Sequence, residues 1–225
     1  MAISQANIEK AIDTTADTVV RNELYFSDLD GLAGDGDFGI SLATGFKVIK
    51  KDLPEIDKPD VGAMLLKLSM IVSKHVGGSS GPIWGTGFMK AALVSKGKTE
   101  VSLAELAGMV GNAVDGIMAR GGAQLGDKTL LDALIPVRER LDAAAAAGET
   151  DMGALLKSCA DIADGAVDST RSLVAHRGRA SQVGARSADT PDPGIVAIAT
   201  ILTDWCKAFG VERAAVAPEV AKAVA

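Results

Sequence analysis

The sequence predicts an all-α fold, a single domain built as an up-and-down bundle of antiparallel helices. Apolar residues recur at helical spacing along most of the chain, and no segment shows sustained alternation of apolar and polar residues. Aromatic residues make up only 4% of the chain, which is low for a β-rich protein. Most connections between the helical segments are short, and short connections favour antiparallel neighbours.

Eight helices are predicted from this spacing. In the first of them, Ile8, Ile12, Thr15 and Val19 lie on one face. The eight predicted helices cover residues 5–24, 38–51, 60–76, 82–95, 102–119, 127–147, 151–173 and 192–208. The longer connections, 25–37 and 174–191, are polar or glycine-rich and carry Asp and Arg, so function is expected there.

Capping residues mark several of the predicted helix ends. Ser102 and Glu105 have the spacing of a capping box, Asp127 precedes a helical run, and Asp192 stands before Pro193 at a first helical turn. Glycines stand where helices are expected to stop, at Gly97, Gly148 and Gly210. Residues 1–210 are predicted to form the domain, and residues 211–225 a mobile or loosely docked C-terminal tail.

Composition limits the classes of partner. The net charge is −6 and the pI is near 5.0, whereas a nucleic-acid surface needs a basic footprint. Cys159 and Cys206 stand in apolar helical contexts without metal-ligand spacing, so we expect buried thiols and no disulfide. The N-terminus lacks a leader pattern, and Lys67, Lys74 and Lys90 interrupt the most apolar stretches, which predicts a cytoplasmic protein without a membrane span.

The segment LDGLAGDGDFG, residues 29–39, places Asp30, Asp35 and Asp37 within eight residues. Its glycines allow the backbone to turn tightly, and ligands that are all oxygen suit Mg²⁺. Because Mg²⁺ commonly completes its coordination with water and phosphate oxygens, the segment indicates a magnesium and nucleotide site. The same pattern is typical of an ordinary turn, and the acid cluster alone also fits a metal-dependent hydrolase.

Three further segments have features of phosphate-binding loops. Residues 77–82, GGSSGP, lead into a helix whose N-terminus favours negative charge. Residues 120–129 form a second glycine-rich entry, in which Asp127 is expected to cap the helix and Lys128 and Thr129 stand at its start. Residues 176–186 hold the densest group of arginines on this acidic chain. Each segment alone also fits a plain connector or a solvated loop.

The order of these segments gives them a shared location. They occupy alternate connections of the predicted helix series, and alternate connections of an up-and-down bundle lie at the same end. We therefore expect the aspartates, the two glycine-rich helix entries and the arginine loop to meet there. Such a combination is more specific than any of its members.

Four motifs together resemble the ADP-binding L subunit of dihydroxyacetone (glycerone) kinases, the DhaL type, which also forms the C-terminal domain of single-chain versions. The motifs keep their order and cover nearly the whole chain: LDxxxGDGDxG at 29–39, GGSSGPIWG at 77–85, GDKTLLDALIP at 126–136, and GRAS followed by G.RS and DPG within 178–194.

The resemblance implies an eight-helix antiparallel barrel with a nucleotide site at one end. It implies that Asp30, Asp35 and Asp37 hold two Mg²⁺ ions that bridge the phosphates of ADP or ATP. The residues that it implies around the nucleotide are Phe38, Gly39, Ile40, Ser41, Ser79, Ser80, Gly121, Leu130, Arg179, Asp192, Pro193 and Gly194.

The resemblance also implies shared chemistry. A separate K subunit holds the ketose through its own histidine, while this chain, a kinase subunit without a covalent nucleophile, delivers the phosphoryl group with metal assistance. The donor is either ATP or an ADP cofactor recharged by an M-type phosphoprotein of the sugar phosphotransferase system, and the acceptor is dihydroxyacetone or another small ketose such as erythrulose. A homodimer is left open.

Three positions depart from the family pattern. The family usually has His where Phe38 stands, commonly Asn near Ser41, and often Met at the position of Leu130. A phenylalanine cannot contact phosphate or metal as an imidazole can. Phe38 therefore motivates an alternative, a module that binds Mg-ADP and a protein partner as a sensor without turnover of its own. His75 and His176 lie outside the motifs and are interpreted as a helix-end and a loop residue.

Overall fold

The computed structural model describes residues 2–225, and the regular secondary structure of this part of the chain is helical apart from two short strands. The strands, β1 (Ala2–Ser4) and β2 (Glu100–Ser102), pair antiparallel, with Ile3 opposite Val101. The helices are α1 (Gln5–Arg21), α2 (Glu23–Asp30), α3 (Phe38–Asp52), α4 (Val61–His75), α5 (Ser80–Val94), α6 (Leu103–Gly121), α7 (Leu131–Ala147), α8 (Met152–Ser169), α9 (Pro193–Ala208) and α10 (Pro218–Val224). A 3-10 helix spans Arg179–Ser187. The predicted all-α class is confirmed.

The helices pack in a ring. From α3 to α9 each helix packs against the next in the chain, α1 packs against α3, and α9 closes the ring against α1. Helix α9 is the most deeply placed, because every residue from Gly194 to Asp204 is buried. The apolar faces meet in two large clusters, one around Phe26, Leu155 and Ile195, the other around Phe46 and Leu68.

Most predicted boundaries lie within a few residues of the observed ones. Ser102 and Glu105 form the capping box at the start of α6, and Gly148 ends α7 in a left-handed conformation. Asp192 caps α9 by accepting a hydrogen bond from the Ile195 amide at 2.8 Å. These ends follow from local chemistry, which explains why the sequence predicted them.

The first predicted helix was wrong in one respect, since it divides at Asn22. The Asn22 side chain donates a hydrogen bond to the Thr18 carbonyl at 2.9 Å and so binds the last turn of α1. The Asn22 backbone leaves the helical region, with φ −98° and ψ 15°. Helix α2 then takes residues 23–30, most of them expected in a loop. This second helix carries Asp30 at its last position.

Successive connections lie at opposite ends of the ring. The strand pair and the start of α1 mark one end, where the Gln5 amide donates to the Thr99 carbonyl. The other end, called the site end below, is formed by four connections: residues 31–37, 76–79, 122–130 and 170–192. A hydrogen bond from the His176 amide to the Asp127 carbonyl joins the last two. The expected grouping of these segments is therefore observed.

The C-terminal segment 211–225 differs from the expected mobile tail. Its helix α10 packs against α9, with Val220 fully buried. The preceding residues are held by Asp164 of α8, whose Oδ2 accepts from the amides of Val216 at 2.8 Å and Ala217 at 3.1 Å. The Arg213 side chain, only 1% exposed, lies 3.2 Å from the same oxygen. A buried ion pair and two backbone contacts thus fix the segment.

Two negative expectations concern disulfides and membrane spans. Cys159 and Cys206 are buried free thiols within the ordered helices α8 and α9. Burial raises the pKa of Cys159 to about 11, so this thiol is unreactive at neutral pH. Among residues 2–225, no helix has the combined length and hydropathy that crossing a bilayer requires.

Candidate functional site

The three aspartates of the LDGLAGDGDFG segment converge at the site end. Asp30 is the last residue of α2, while Asp35 and Asp37 belong to the loop that leads into α3. One carboxylate oxygen from each residue lies within 4.8 Å of the corresponding oxygens of the other two. Asp35 and Asp37 are exposed and Asp30 is half-buried, so the group, called the carboxylate cluster below, faces solvent.

Backbone contacts hold the cluster in this geometry. The Oδ2 atom of Asp30 accepts hydrogen bonds from the amides of Asp37 at 3.0 Å and Phe38 at 3.3 Å, which folds the loop over the end of α2. Gly36 turns the chain with φ 76°, a conformation that favours glycine. Gly34 leaves room for the Asp30 side chain, because a Cβ atom at position 34 would stand 2.2 Å from Oδ1 of Asp30.

The cluster concentrates negative charge. Burial raises the pKa of the Asp37 carboxyl above its usual range, the neighbouring Asp35 and Asp30 raise it further, and Arg179 opposes the shift. Two unit charges about 4 Å apart near a protein surface repel by about 4 kcal/mol. A divalent cation would relieve this repulsion, so the cluster has the charge and the ligand chemistry of a site for a hard cation.

Arg179 supplies the cation nearest to this cluster. It begins the 3-10 helix in the 170–192 connection, and its Nε lies 2.8 Å from Oδ2 of Asp35. Both side chains remain largely exposed, at 65% and 41%, so the ion pair is weakly stabilising and easily exchanged. The sequence predicted Arg179 at the nucleotide, and the structure places it beside a carboxylate of the predicted metal site.

The start of α3 packs tightly on α2. A Cβ atom at Gly39 would stand 2.0 Å from the Glu23 carbonyl, and the Ile40 amide donates to Oγ of Ser27 at 3.1 Å. The Phe38 amide is bonded to Asp30, and that of Ser41 to the Asp37 carbonyl at 2.8 Å. Three of the four amides expected at the phosphates, those of Phe38, Ile40 and Ser41, therefore already have partners within the protein.

The Phe38 ring is turned away from the cluster. It packs against both large apolar clusters, and its centroid lies 6.4 Å from that of Phe26. The ring therefore serves as a packing group under the loop, and its amide, through Asp30, is the part that supports the site.

The start of α5 offers free amides. Ser79 precedes the helix without a side-chain cap, and Ser80 is its first residue. A Cβ atom at Gly77 would lie 3.1 Å from Oγ of Ser41, so this connection adjoins the start of α3. At the site end, the Gly81 amide is bonded to the Gly77 carbonyl and Pro82 has no N–H, so the amides of Ser79 and Ser80 are the ones that remain free among residues 2–225, an arrangement that favours an anion.

The 122–130 connection is more elaborate than the sequence predicted. Helix α7 begins at Leu131, and Asp127 does not cap it. Asp127 is buried, accepts from the Gln124 amide at 3.0 Å, and lies 3.2 Å from Nε of Arg177. The predicted cap was wrong because the loop continues to Leu130: Oγ1 of Thr129 accepts from the first helical amide, that of Leu131, at 3.2 Å, while the Asp132 carboxylate holds the loop by accepting from the amides of Gly126 at 2.6 Å and Thr129 at 2.8 Å.

Lys128 is a structural residue that the sequence did not identify. It is 3% exposed, and its Nζ donates to the carbonyls of Arg171 at 2.9 Å, Leu173 at 2.8 Å and Ser187 at 2.7 Å. Burial lowers the pKa of this ammonium group, and Asp192 and Asp189 oppose the shift. With all three donors used, Lys128 joins the two arms of the 170–192 connection that carries Arg179.

The remaining predicted residues surround the same end. Gly121 is the last residue of α6 and approaches Ile83 of α5, and Gly194 lies so close to Leu130 that a Cβ atom added at Gly194 would stand 3.3 Å from the Leu130 Cβ. Asp192 is half-buried as a residue, but its carboxyl group is surrounded by protein atoms. Burial raises its pKa to about 7, opposed by hydrogen bonds from the Ile195 and Gly194 amides.

Comparisons with known proteins show the family of this chain. The family model described as the DAK2 domain matches residues 32–207. The ADP-binding subunit DhaL of the PEP-dependent dihydroxyacetone kinase of Escherichia coli K12 is 33% identical over 198 residues, covering 88% of this chain and 94% of that protein. The corresponding subunit of kinase 2 of Listeria innocua is 40% identical over 175 residues, covering 76% and 79%.

Longer proteins match through part of their length. The L-erythrulose 1-kinase of Mycolicibacterium smegmatis is 31% identical over 198 residues, covering 87% of this chain and 34% of that protein. The solved dihydroxyacetone kinase of C. freundii, in complex with AMP-PNP and Mg²⁺, aligns with a TM-score of 0.66 at 22% identity, covering 92% of this chain and 34% of its own. This chain thus spans about a third of that kinase chain, and the likeness shows a shared fold.

Proposed function

The chain belongs to the DAK2 domain family, and we propose that it is the ADP-binding, phosphoryl-transferring subunit of a kinase for a small ketose. One observation carries the proposal: three carboxylates that are up to seven positions apart in sequence converge within 4.8 Å at the end of the ring where the uncapped start of α5 also lies. The DhaL subunits and the other kinases named above give the substrate class, a triose or tetrose ketone.

The donor set of the cluster fits Mg²⁺. Two oxygens bound to one Mg²⁺ at about 2.1 Å can be at most about 4.2 Å apart. Of three oxygens on one octahedral ion at least two pairs are adjacent, about 3.0 Å apart, so a group that spans up to 4.8 Å closes by up to about 2 Å around one ion, or holds two ions that share an aspartate. We propose that Asp30, Asp35 and Asp37 hold two ions, which supply charge neutralisation at the phosphates when bound.

The phosphates are proposed to lie between the cluster and the start of α5. Ser79 and Ser80 provide hydroxyl groups and uncapped amides there, and Gly39 contributes the one amide of the α3 start that has no partner among residues 2–225. Arg179 is proposed to leave Asp35 for a phosphate oxygen when metal binds, because the ion then satisfies the carboxylate. The rest of the nucleotide is proposed to lie along Gly121, Leu130 and residues 192–194.

The proposed reaction needs no nucleophile from this chain. Phosphoryl transfer depends mainly on positioning and on neutralising charge, and both are provided by the carboxylates, the helix starts and Arg179. The acceptor hydroxyl belongs to the ketose, which a partner K subunit is proposed to hold. The phosphoryl donor is either exchanging ATP or an M-type phosphoprotein that recharges resident ADP.

The site end has the surface that such a partner requires. Large apolar side chains remain exposed on three of its connections and at the adjoining start of α3: Leu32 at 53%, Leu125 at 55%, Val174 at 37% and Ile40 at 48%. Exposed apolar side chains around a polar site are typical of a protein-binding surface. A partner that covers them would also exclude water from the phosphates.

A reconstituted phosphorylation assay tests the proposal. This chain, a K subunit and Mg²⁺ would be supplied with either ATP or phosphoenolpyruvate and the carrier proteins, over a panel of dihydroxyacetone and the erythruloses. We expect ketose phosphate only when all components are present, and its loss with Asp37→Asn. Absence of product with every donor and ketose, from a chain that is folded and binds Mg-ADP, would contradict the proposal.

The second candidate function is a Mg-ADP sensor without turnover. The Phe38 ring favours it, because it occupies the apolar core where the family usually has a histidine that could reach the phosphates. Binding of Mg-ADP together with a protein partner, without ketose phosphorylation, is the result that would favour this function. Phe38→His would then be expected to restore phosphorylation if the ring is the reason for its absence.

A further inference from the structure

Helix α10 contacts both halves of the proposed site through one residue, Glu219. This helix follows residue 207, where the match to the DAK2 domain ends. The Glu219 carboxylate oxygen Oε1 lies 2.9 Å from Nη2 of Arg171, and the Glu219 carbonyl accepts a hydrogen bond from the Tyr25 hydroxyl at 3.1 Å. The C-terminal segment is therefore joined to two elements that are distant from it in sequence.

The contact with Arg171 lies at the base of the loop that carries Arg179. The carbonyl of Arg171 accepts from Nζ of Lys128 and from the Asp189 amide, both at 2.9 Å, so Arg171 connects the two arms of the 170–192 connection. The Arg171 and Glu219 side chains are 31% and 16% exposed, so the ion pair is shielded more than a typical surface pair.

The contact with Tyr25 reaches the helix that ends in Asp30. Tyr25 lies on α2, five residues before that aspartate, and the ammonium of Lys222 stands 4.5 Å from the centre of its ring. A hydrogen bond and a cation–π contact thus hold one side of α2 to α10. Because Tyr25 is half-buried, its ring and hydroxyl are fixed between the two helices.

The two halves meet again at the carboxylate cluster, where Arg179 of the loop pairs with Asp35 beyond α2. We propose that Glu219 is a positioning residue, which fixes α2 and the 170–192 connection relative to each other so that the carboxylates and Arg179 are ready for the nucleotide. The inference depends on the proposed function for what is bound, and on the structure alone for the coupling of the two elements.

The test uses Glu219→Gln and Tyr25→Phe in the full chain, with Glu149→Gln as a matched control. Glu149 forms a similar, partly shielded ion pair with Arg140 at 2.7 Å, in the connection between α7 and α8 at the opposite end of the ring. All three variants lose a local interaction, but only Glu219→Gln and Tyr25→Phe remove a contact between α10 and the elements that carry the site.

Two measurements distinguish positioning from a structural role. Hydrogen exchange of the amides in residues 172–190 should become about fivefold faster or more in Glu219→Gln and Tyr25→Phe, without ligand and well below the melting temperature, and remain unchanged in Glu149→Gln. The dissociation constant for ADP with Mg²⁺ should rise by about fivefold or more in the same two variants only.

Exchange in residues 172–190 that is equal in Glu219→Gln and wild type would overturn the inference, as would an affinity loss of the same size in Glu149→Gln. If wild-type protein binds no ADP, the proposed function fails, while the exchange measurement still decides whether α10 couples the two elements. A variant that merely melts at a lower temperature, with exchange and affinity unchanged, shows a structural role and also overturns the inference.

Discussion

Replacing Gly34 with alanine tests the carboxylate cluster without removing any of its ligands. The added Cβ atom would stand 2.2 Å from Oδ1 of Asp30, whereas ordinary contact begins at 3.4 Å, so the carboxylate has to move by about 1.2 Å. The backbone at Gly34 is not left-handed, but the added Cβ atom would also stand 2.9 Å from the Asp30 carbonyl oxygen, so the chain at Gly34 has to shift slightly as well. The expected consequence is a displaced Asp30 carboxylate and a small adjustment of the loop around Gly34.

The displacement has two measurable effects. Asp30 would lose its hydrogen bonds from the amides of Asp37 and Phe38, which lowers the free energy of unfolding by about 1 to 3 kcal/mol. A misplacement of about 1 Å in a site that works by positioning costs about 100-fold in reaction rate. We therefore expect the rate of phosphoryl transfer to fall by about 100-fold in Gly34→Ala, and the affinity for ADP with Mg²⁺, measured by isothermal titration calorimetry, to fall with it.

Gly31→Ala is the matched control in the same turn. Its Cβ atom would find its nearest neighbours, the carbonyls of Asp28 and Ser27, at 3.5 Å, and its φ is −60°. This variant should bind Mg-ADP as wild type does. Equal affinity in Gly34→Ala and Gly31→Ala would refute the assignment of Asp30 as a ligand, and so would a crystal structure of Gly34→Ala with bound metal and an unmoved Asp30.

Two further predictions concern supporting residues. Lys128→Met leaves three carbonyls without their donor, so it should lower the free energy of unfolding by about 2 to 4 kcal/mol, as measured by urea unfolding. It should also weaken Mg-ADP binding, measured by titration calorimetry, because the connection that carries Arg179 is loosened. Unchanged stability would contradict the structural role of Lys128. The raised Asp192 pKa, about 7, means that the folded protein binds this proton more tightly than the unfolded chain, so stability falls as the pH rises from about 4 to about 7. Asp192→Asn keeps a capping side chain and should remove on the order of 2 to 4 kcal/mol of that pH dependence, and identical pH profiles of the two proteins would count against it.

The fold was predicted well where local chemistry decides it. Capping residues such as Ser102 and Asp192 act within three residues of their own position, so they can be identified from sequence. The segment 211–225 was not, because its order depends on Asp164 and Arg213, which form an ion pair across 49 positions of the chain. The sequence of residues 211–225 does not indicate that Asp164 is its partner.

The candidate site shows the same division. The cluster of Asp30, Asp35 and Asp37 was predicted from spacing, since loop glycines and nearby acids suffice to bring carboxylates together. Lys128 was missed, because a lysine beside a glycine-rich loop fits a phosphate contact equally well, and only the folded chain shows its nitrogen enclosed by three carbonyls. The need for glycine at position 34 was also missed, because it depends on how closely the Asp30 side chain approaches the Gly34 backbone, and residue spacing in the sequence does not show this.

We propose that the carboxylate cluster binds ADP through Mg²⁺. Titration of ADP into the wild-type chain, with Mg²⁺ and then with EDTA, tests it most directly when repeated with Asp35→Ala and Asp37→Ala at unchanged helicity. We predict binding by wild type only when Mg²⁺ is present, and its loss in both variants, because the remaining carboxylates cannot neutralise the phosphates through metal. Binding that is independent of Mg²⁺, or an affinity retained in either variant, would contradict the account.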